Sequence, residues 1–480
     1  MSARRVVILG YGMAGARLAD EIRRRDPAGE RVALTVLGEE SHLAYNRVLL
    51  SAVVAGTMRA ETVALHDEDW ASRHGVDLRT GACVTRIDRV TRTVELADGS
   101  SVGYDALVLA TGSRPWLPPT EGLTTEDGTP AENVIAFRTL DDCERILEAA
   151  RFGAPVAVLG GGLLGLEVAR GLAGRGSLVT VVHPSESIMD RQLDAGASAV
   201  LLRTLRKLGI EFRLGATAAR YLPGDGLKLE DGCHVPADLV VVSAGVRAET
   251  SLAAAAGLTV DRGVVVDDSL RTSDGRIHAI GDCAQHPGTV SGLVQSAWEQ
   301  AAVLADLLTG NEVSSRYRGT SVVTRLKARD IDLASLGEVH TESEDVDAEV
   351  VSFDDATGGR YAKLVVRDDR VAGAIVLGLP DAAAAITQLY DRGGPVPSDR
   401  LAMLLGRALP AGVSIASSPA DLPGSAVVCR CNSVSKGRLV EAWKAGAANV
   451  RELASATRAT TGCGGCSDAV RGIADWLGSQ

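Results

Sequence analysis

The chain has 480 residues, enough for about three domains, with 46% hydrophobic and 23% charged residues. A net charge of -11 argues against a nucleic-acid binder, and no run approaches the roughly 18 apolar residues of a membrane helix. Two counts stand out: 53 glycines, above the usual ~7% of a chain, and eight cysteines, four of them after position 428.

The N-terminus runs straight into a short apolar strand (RVVILG, 5–10) and shows no signal-peptide pattern. A reducing, cytoplasmic setting is therefore expected, in which clustered cysteines read as metal or redox ligands rather than disulfides. Gly10, Gly12 and Gly15 follow the strand and lead into a segment with helical spacing, Leu18 to Ile22. Strand, G-x-G-x-x-G and helix together form a dinucleotide fingerprint, in which backbone amides and the helix N-terminus meet a pyrophosphate. A second strand ends at Glu39-Glu40, where an acid can accept from ribose hydroxyls. A further apolar strand (YDALVLATGSRP, 104–115) ends in Ala110-Thr111-Gly112.

The pattern then repeats. PVAVLGGG (155–162) carries Gly160, Gly162 and Gly165 into another helix, and the next strand (SLVTVVH) ends at His183. Two fingerprints imply two dinucleotide sites. The strand IHAIGDCA (277–284) delivers Asp282 at its carboxyl end, where it could reach a phosphate or a hydroxyl. Residues 317–400 alternate as a small antiparallel α+β domain would. Pro410–Gly424 reads as a linker that would permit some swing. The tail spaces Cys429, Cys431, Cys463 and Cys466 as C-x-C-x31-C-x2-C around two helical stretches, with Ser467 and Asp468 as candidate caps. Four thiolates can hold a [2Fe–2S] cluster or tetrahedral zinc, and the spacing alone leaves both open.

The order GxGxxG, ATG, GxGxxG, GD resembles the FAD-dependent pyridine nucleotide-disulfide oxidoreductase superfamily. LAYNRVLLS (43–51), FRTLDDCERI, IMDRQLDAGAS, VVSAGVRAE and RLKARDIDLASLGEVH resemble the flavoprotein region of NADH-dependent assimilatory nitrite and nitrate reductases. The tail resembles the BFD-like [2Fe–2S] domain that follows that region, which favours a cluster over zinc. The resemblance implies an α/β chain with an FAD-binding domain (1–117 and 244–312), an inserted NAD(P)H-binding domain (118–243), a small α+β domain (317–408) and a helical BFD-like domain (425–480). It assigns Gly10, Gly12, Gly15, Glu39, Arg47, Thr111, Gly112, Arg138 and Asp282 to FAD, and Gly160, Gly162 and Gly165 to NAD(P)H. Glu167 takes an orienting, catalytic role, although a lysine that pairs with it in some relatives is Ala52 here. The redox C-x4-C of disulfide reductases is missing from 43–54. Cys83, Cys143, Cys233 and Cys283 then read as buried hydrophobes or inert thiols.

The implied function is electron transfer from NAD(P)H, leaning to NADH, through FAD and the cluster to a separate redox protein or catalytic reductase subunit. Alternatives are a general ferredoxin or rubredoxin reductase, a subunit of an opine or amino-acid dehydrogenase, and a zinc-stabilised NADH-responsive binding protein. The sirohaem domain of full-length nitrite reductases is not matched, so direct nitrite reduction is not expected.

Overall fold

The computed structural model describes residues 3–326, 328–406, 419–429, 432, 434–461 and 465–479. The first sheet has five parallel strands in the spatial order Ile277–Ala279, Ala106–Leu109, Arg4–Leu9, Val32–Leu37, Asp77–Arg79. Arg4–Leu9 is buried over its last four residues, which is why it reads as a continuous apolar run rather than an alternating one. The helix Met13–Arg25 follows and buries Gly15, Ala16, Leu18, Ala19 and Ile22. The chain moves from Arg4–Leu9 to Val32–Leu37 on one side and returns as Ala106–Leu109 on the other. That reversal opens a crevice at the carboxyl end of the central strand, where the first glycine loop sits.

The second sheet repeats the plan. Its order is Glu211–Leu214, Leu178–His183, Pro155–Leu159, Leu239–Val242, Val134–Ala136, again parallel throughout. The helix Leu163–Gly174 follows its central strand. Where the chain passes between the two sheets, Ser113–Pro115 and Val246–Ala248 pair antiparallel.

A third sheet, antiparallel, runs Val323–Leu326, Leu333–Gly337, Arg370–Leu377, Arg360–Arg367, Glu349–Asp355. The helix Pro380–Arg392 buries Ile386 and Leu389 against it. This sheet is anchored to the second unit by Asp194, which accepts from Tyr361 Oη at 2.6 Å and pairs with Lys363 Nζ at 3.1 Å.

Among the described residues the last unit shows a short hairpin (Val427–Cys429 with Val434–Ser435) and three helices, Lys436–Lys444, Val450–Thr457 and Ser467–Gly478. Leu439, Leu453, Val470 and Ile473 form its core and are at most 1% exposed. Each burial is worth about 2 kcal/mol. That core is continuous with Ala297 and Trp298 of the helix Val294–Thr309 in the first unit. The expected linker lies mostly outside the described residues. Its end is tied down, because Lys436 Nζ donates to the carbonyls of Ala420 and Leu422 at 3.0 and 2.6 Å. The expected caps Ser467 and Asp468 fall inside the last helix; Cys466 holds the cap position.

One strand residue sets an acid limit on stability. His278, 5% exposed on Ile277–Ala279, has a pKa pushed from 6.5 down to about 4, chiefly by burial and then by the nearby Arg4 charge. The unfolded chain protonates first as pH falls, so this contribution is intact above about pH 6.5 and is lost towards pH 4, by about 3 kcal/mol. His278→Leu is expected to flatten that part of the melting-temperature profile between pH 7 and 4; an unchanged slope would discount the residue.

Candidate active site

The two glycine loops make the same contacts. Gly10 and Gly160 have φ of +108° and +126°, and a Cβ on either would lie 2.2 Å from a carbonyl oxygen, that of Ala110 or of Ser243. A Cβ on Gly15 or Gly165 would lie 1.9 or 2.0 Å from the carbonyl oxygen of Gly10 or Gly160. These four glycines are therefore required by the fold itself. The middle glycines differ. A Cβ on Gly162 would meet nothing within 4 Å, and one on Gly12 only the Arg47 guanidinium at 3.8 Å. Both are N-caps, of Met13–Arg25 and Leu163–Gly174, with no side-chain cap. Open space before an uncapped helix start suits an anionic ligand.

A cavity of about 1570 Å³ opens between the units. Gly10, Gly12, Glu39, Arg47, Thr111, Gly112, Arg138, Glu167, Asp282 and Cys466 all line it. Gly15, Gly160, Gly162 and Gly165 are not on its wall, and the second loop reaches it only through Leu163, Leu164 and Glu167.

Arg47 pairs with Glu40 and lies over the Tyr45 ring, 5.1 Å from its centroid. Glu40 also accepts from Tyr45 Oη at 2.6 Å, so it is occupied by its own chain while Glu39 is exposed. Thr111 Oγ1 donates to the Glu249 carbonyl at 2.9 Å and fixes the crossover. Gly112 there has φ of +71°. Arg138 is set by the start of the helix Leu140–Ala149, where Asp142 accepts from the Arg138 and Thr139 amides at 3.0 and 2.8 Å. Its Nη2 reaches Asp282 Oδ2 at 2.8 Å and Ser113 Oγ at 2.7 Å, and Ser113 Oγ donates to Asp282 at 3.0 Å. Arg138 Nε is buried with no protein partner. That unfilled donor on the cavity wall fits a polar ligand.

Glu167 is 4% exposed, and Ser51 Oγ donates to its Oε2 at 2.6 Å. Ser51 stands next to Ala52, so the position without lysine still has a donor beside it. Arg47 and Ser51 belong to one segment, Arg47–Leu49 continuing into Leu50–Val54. This segment touches both glycine-loop helices' sites at once. His183 packs its ring 2.8 Å from where a Gly161 Cβ would lie. Burial lowers its pKa, so the ring is held neutral.

At the far end, Cys429 is fully buried and Cys466 is 7% exposed. The Thr460 amide donates to Cys466 Sγ at 3.3 Å, and Asn432 Nδ2 to Cys429 Sγ at 3.6 Å. Cys431 and Cys463 lie outside the described residues. Buried sulfurs that each receive an N–H fit thiolate ligands of a cluster. Of the other cysteines, burial raises the Cys143 thiol to about 12 and pushes Cys283 up too. Cys233 is exposed, and Asp231 raises its pKa, so of the two expected readings it fits the inert thiol rather than the buried hydrophobe. Cys83 is half-buried on the cavity wall.

One connection escaped the sequence reading. Tyr11 Oη lies 2.6 Å from His66 Nδ1, His66 Nε2 lies 3.0 Å from Asp20 Oδ2, and Asp20 pairs with Arg458 of the last unit. The partners are far apart in the chain, so no local pattern could reveal them.

One cavity that meets the first glycine loop, the helix after the second and the buried Cys466 is the arrangement of an oxidoreductase class built on two dinucleotide folds. The chain belongs to the pyridine nucleotide-disulphide oxidoreductase family, whose profile matches residues 4–301. It also carries a rubredoxin NAD+ reductase C-terminal domain over 323–392 and a BFD-like [2Fe–2S] binding domain over 427–476. Two relatives from Bacillus subtilis (strain 168) align over nearly the whole chain. A nitrite reductase [NAD(P)H] is 35% identical across 98% of this chain and 58% of its own length. An assimilatory nitrate reductase electron transfer subunit is 33% identical across 99% and 60%. The chain thus spans less than two thirds of either relative. Among solved structures, a covalent putidaredoxin reductase–putidaredoxin complex matches with a TM-score of 0.74 and 28% identity, over 85% of this chain and 96% of the other. Among the described residues no helix is long and apolar enough to cross a membrane.

Proposed function

We propose that this chain is the electron-transfer unit of an assimilatory nitrate or nitrite reductase system, acting in the cytoplasm. It would carry electrons from NADH to a separate redox protein or catalytic reductase subunit. The observation that carries the reading is that Cys466 and the first glycine loop line one cavity. The names of the relatives, nitrite reductase and nitrate reductase electron transfer subunit, supply the substrate class. Residues 1–117 and 244–312 would hold FAD, 118–243 the nicotinamide nucleotide, and 425–480 the cluster, with 317–408 as a buttress.

FAD bound in the cavity would accept a hydride from the nicotinamide and release the electrons singly to a [2Fe–2S] cluster on Cys429, Cys431, Cys463 and Cys466. The uncapped helix starts at Gly12 and Gly162 would bind the two pyrophosphates. Glu39 would accept from the ribose, Arg47 would lie along the FAD, and the free Arg138 Nε would donate to it. Asp282, fixed by Ser113 and Arg138, would receive hydroxyl donors. Ser51 holds the Glu167 carboxylate in place beside the entry of the nicotinamide. The neutral His183, followed by Pro184 to Ser187 with no basic residue, offers no positive charge to a 2′-phosphate; this favours NADH. Residues 425–480 hold seven Lys and Arg against four Asp and Glu, in a chain of net charge -11, which suits an acceptor with an acidic face.

The test is a visible spectrum of the anaerobically purified protein, titrated with NADH and then NADPH. Flavin and cluster bands that bleach with NADH first are expected. A flavin spectrum without a cluster contribution, or no bleaching by either nucleotide, would overturn the reading.

A further inference from the structure

The tail unit packs on the first unit through Ala297 and Trp298 and through polar contacts, one of which reaches Asn432, whose amide also faces a cysteine sulfur. Arg17, on Met13–Arg25, donates from Nη1 to Asn432 Oδ1 at 2.7 Å. Asn432 is 7% exposed. Its Nδ2 donates to the Arg458 carbonyl at 2.5 Å and faces Cys429 Sγ at 3.6 Å. Arg17 is itself held, by Glu21 Oε1 at 2.9 Å and by the Trp298 ring 5.1 Å away.

This arrangement fixes which way the amide points. A guanidinium has donors only, so the Asn432 atom facing it must be the oxygen. The NH2 group is then turned to the acceptors on the other side, the Arg458 carbonyl, the Thr461 hydroxyl at 3.4 Å and the Cys429 sulfur. Arg17 belongs to the dinucleotide unit and Cys429 to the cluster unit. Docking thus adds Arg17, a cation and a donor to Oδ1, to the orientation that the Arg458 carbonyl already favours within the cluster unit.

We propose that Asn432 is a positioning residue that sets the reduction potential of the cluster, with its amide held towards the Cys429 sulfur by Arg17. The proposal rests on the reading that the four tail cysteines hold a [2Fe–2S] cluster. A hydrogen bond to a ligand sulfur stabilises the reduced, more negative cluster and raises its potential. The Arg17 cation acts in the same sense. A cluster docked on Arg17 is a better electron acceptor than the same cluster with its unit withdrawn, which favours filling when docked and delivery when not.

The experiment is an anaerobic redox titration of the full-length holoprotein followed by the EPR signal of the reduced cluster, with iron content measured in parallel. Asn432→Leu and Arg17→Met are each expected to shift the reduction equilibrium five- to tenfold towards the oxidised form. A tenfold shift is 59 mV for a one-electron couple. Arg17→Lys, which keeps a donor facing Oδ1, should stay near the unsubstituted potential. Asn432→Asp keeps the partner of Arg17 but turns an oxygen towards sulfur, and should fall furthest. If Asn432→Leu fails to retain iron, Arg17→Met against Arg17→Lys decides, because neither alters the cluster unit. Unchanged potentials in iron-replete Arg17→Met would overturn the proposal. No EPR signal from the unsubstituted protein would overturn the cluster reading instead.

Discussion

Replacing Gly162 by valine is expected to leave the protein folded and flavin-loaded, and to slow flavin reduction by NADH at least a hundredfold. The contrast among neighbouring glycines supports this. A Cβ on Gly160 or Gly165 would lie 2.2 or 2.0 Å from a backbone oxygen, whereas one on Gly162 has nothing within 4 Å. The fold therefore has no need of a glycine at 162. A ligand lying against the start of Leu163–Gly174 does, because branched carbons there would stand between the pyrophosphate and the helix amides. A charge-assisted hydrogen bond is worth about 1.5–3 kcal/mol, so losing one or two covers the about 2.7 kcal/mol of a hundredfold change. Gly165→Ala is the control: its Cβ meets backbone, so the melting temperature should fall by the equivalent of about 3 kcal/mol. Stopped-flow flavin bleaching and a thermal melt separate the two. A Gly162→Val protein reduced at the normal rate would place the nicotinamide nucleotide elsewhere.

Cys466→Ala is expected to remove the cluster iron and to cut reduction of a one-electron protein acceptor more than a hundredfold, while NADH still bleaches the flavin. Alanine keeps the Cβ at the cap of Ser467–Gly478, so the backbone there is undisturbed. What is lost is a sulfur, 7% exposed on the cavity wall, which receives the Thr460 amide. The Glu167–Ser51 pair involves neither Cys466 nor its neighbours, which is why hydride entry should survive. Iron analysis and the two activities are the measurements. Full acceptor reduction by the iron-free variant would show that electrons leave by another route.

Sequence revealed the parts of this molecule whose demands are local. Arg4–Leu9 and Pro155–Leu159 read as strands because they are buried on both faces, and the outer glycines of each loop are required by carbonyls that touch them. The third sheet was legible as antiparallel strands over 317–400, although Arg360–Arg367 and Arg370–Leu377 are buried almost throughout rather than on alternate residues. The pairings across the cavity were not visible. Arg138 meets Ser113 and Asp282 across 25 and 144 residues, and Ser51 meets Glu167 across 116. Each of these side chains could equally have ended in solvent. The cap at Cys466 was misplaced by a residue or two because Ser and Asp are the better intrinsic caps, and the cysteine takes the position without a side-chain cap bond.

The segment from Arg47 to Ser51 has a consequence for how this architecture can vary. A side chain at the first dinucleotide loop is followed four positions later by one that meets a carboxylate of the second. Helical geometry turns by about 100° per residue. One inserted or deleted residue between them would swing Ser51 away from Glu167 while Arg47 stayed in place. The two halves are thereby kept in phase by chain length as well as by packing, and change in this stretch can proceed by substitution but not by length.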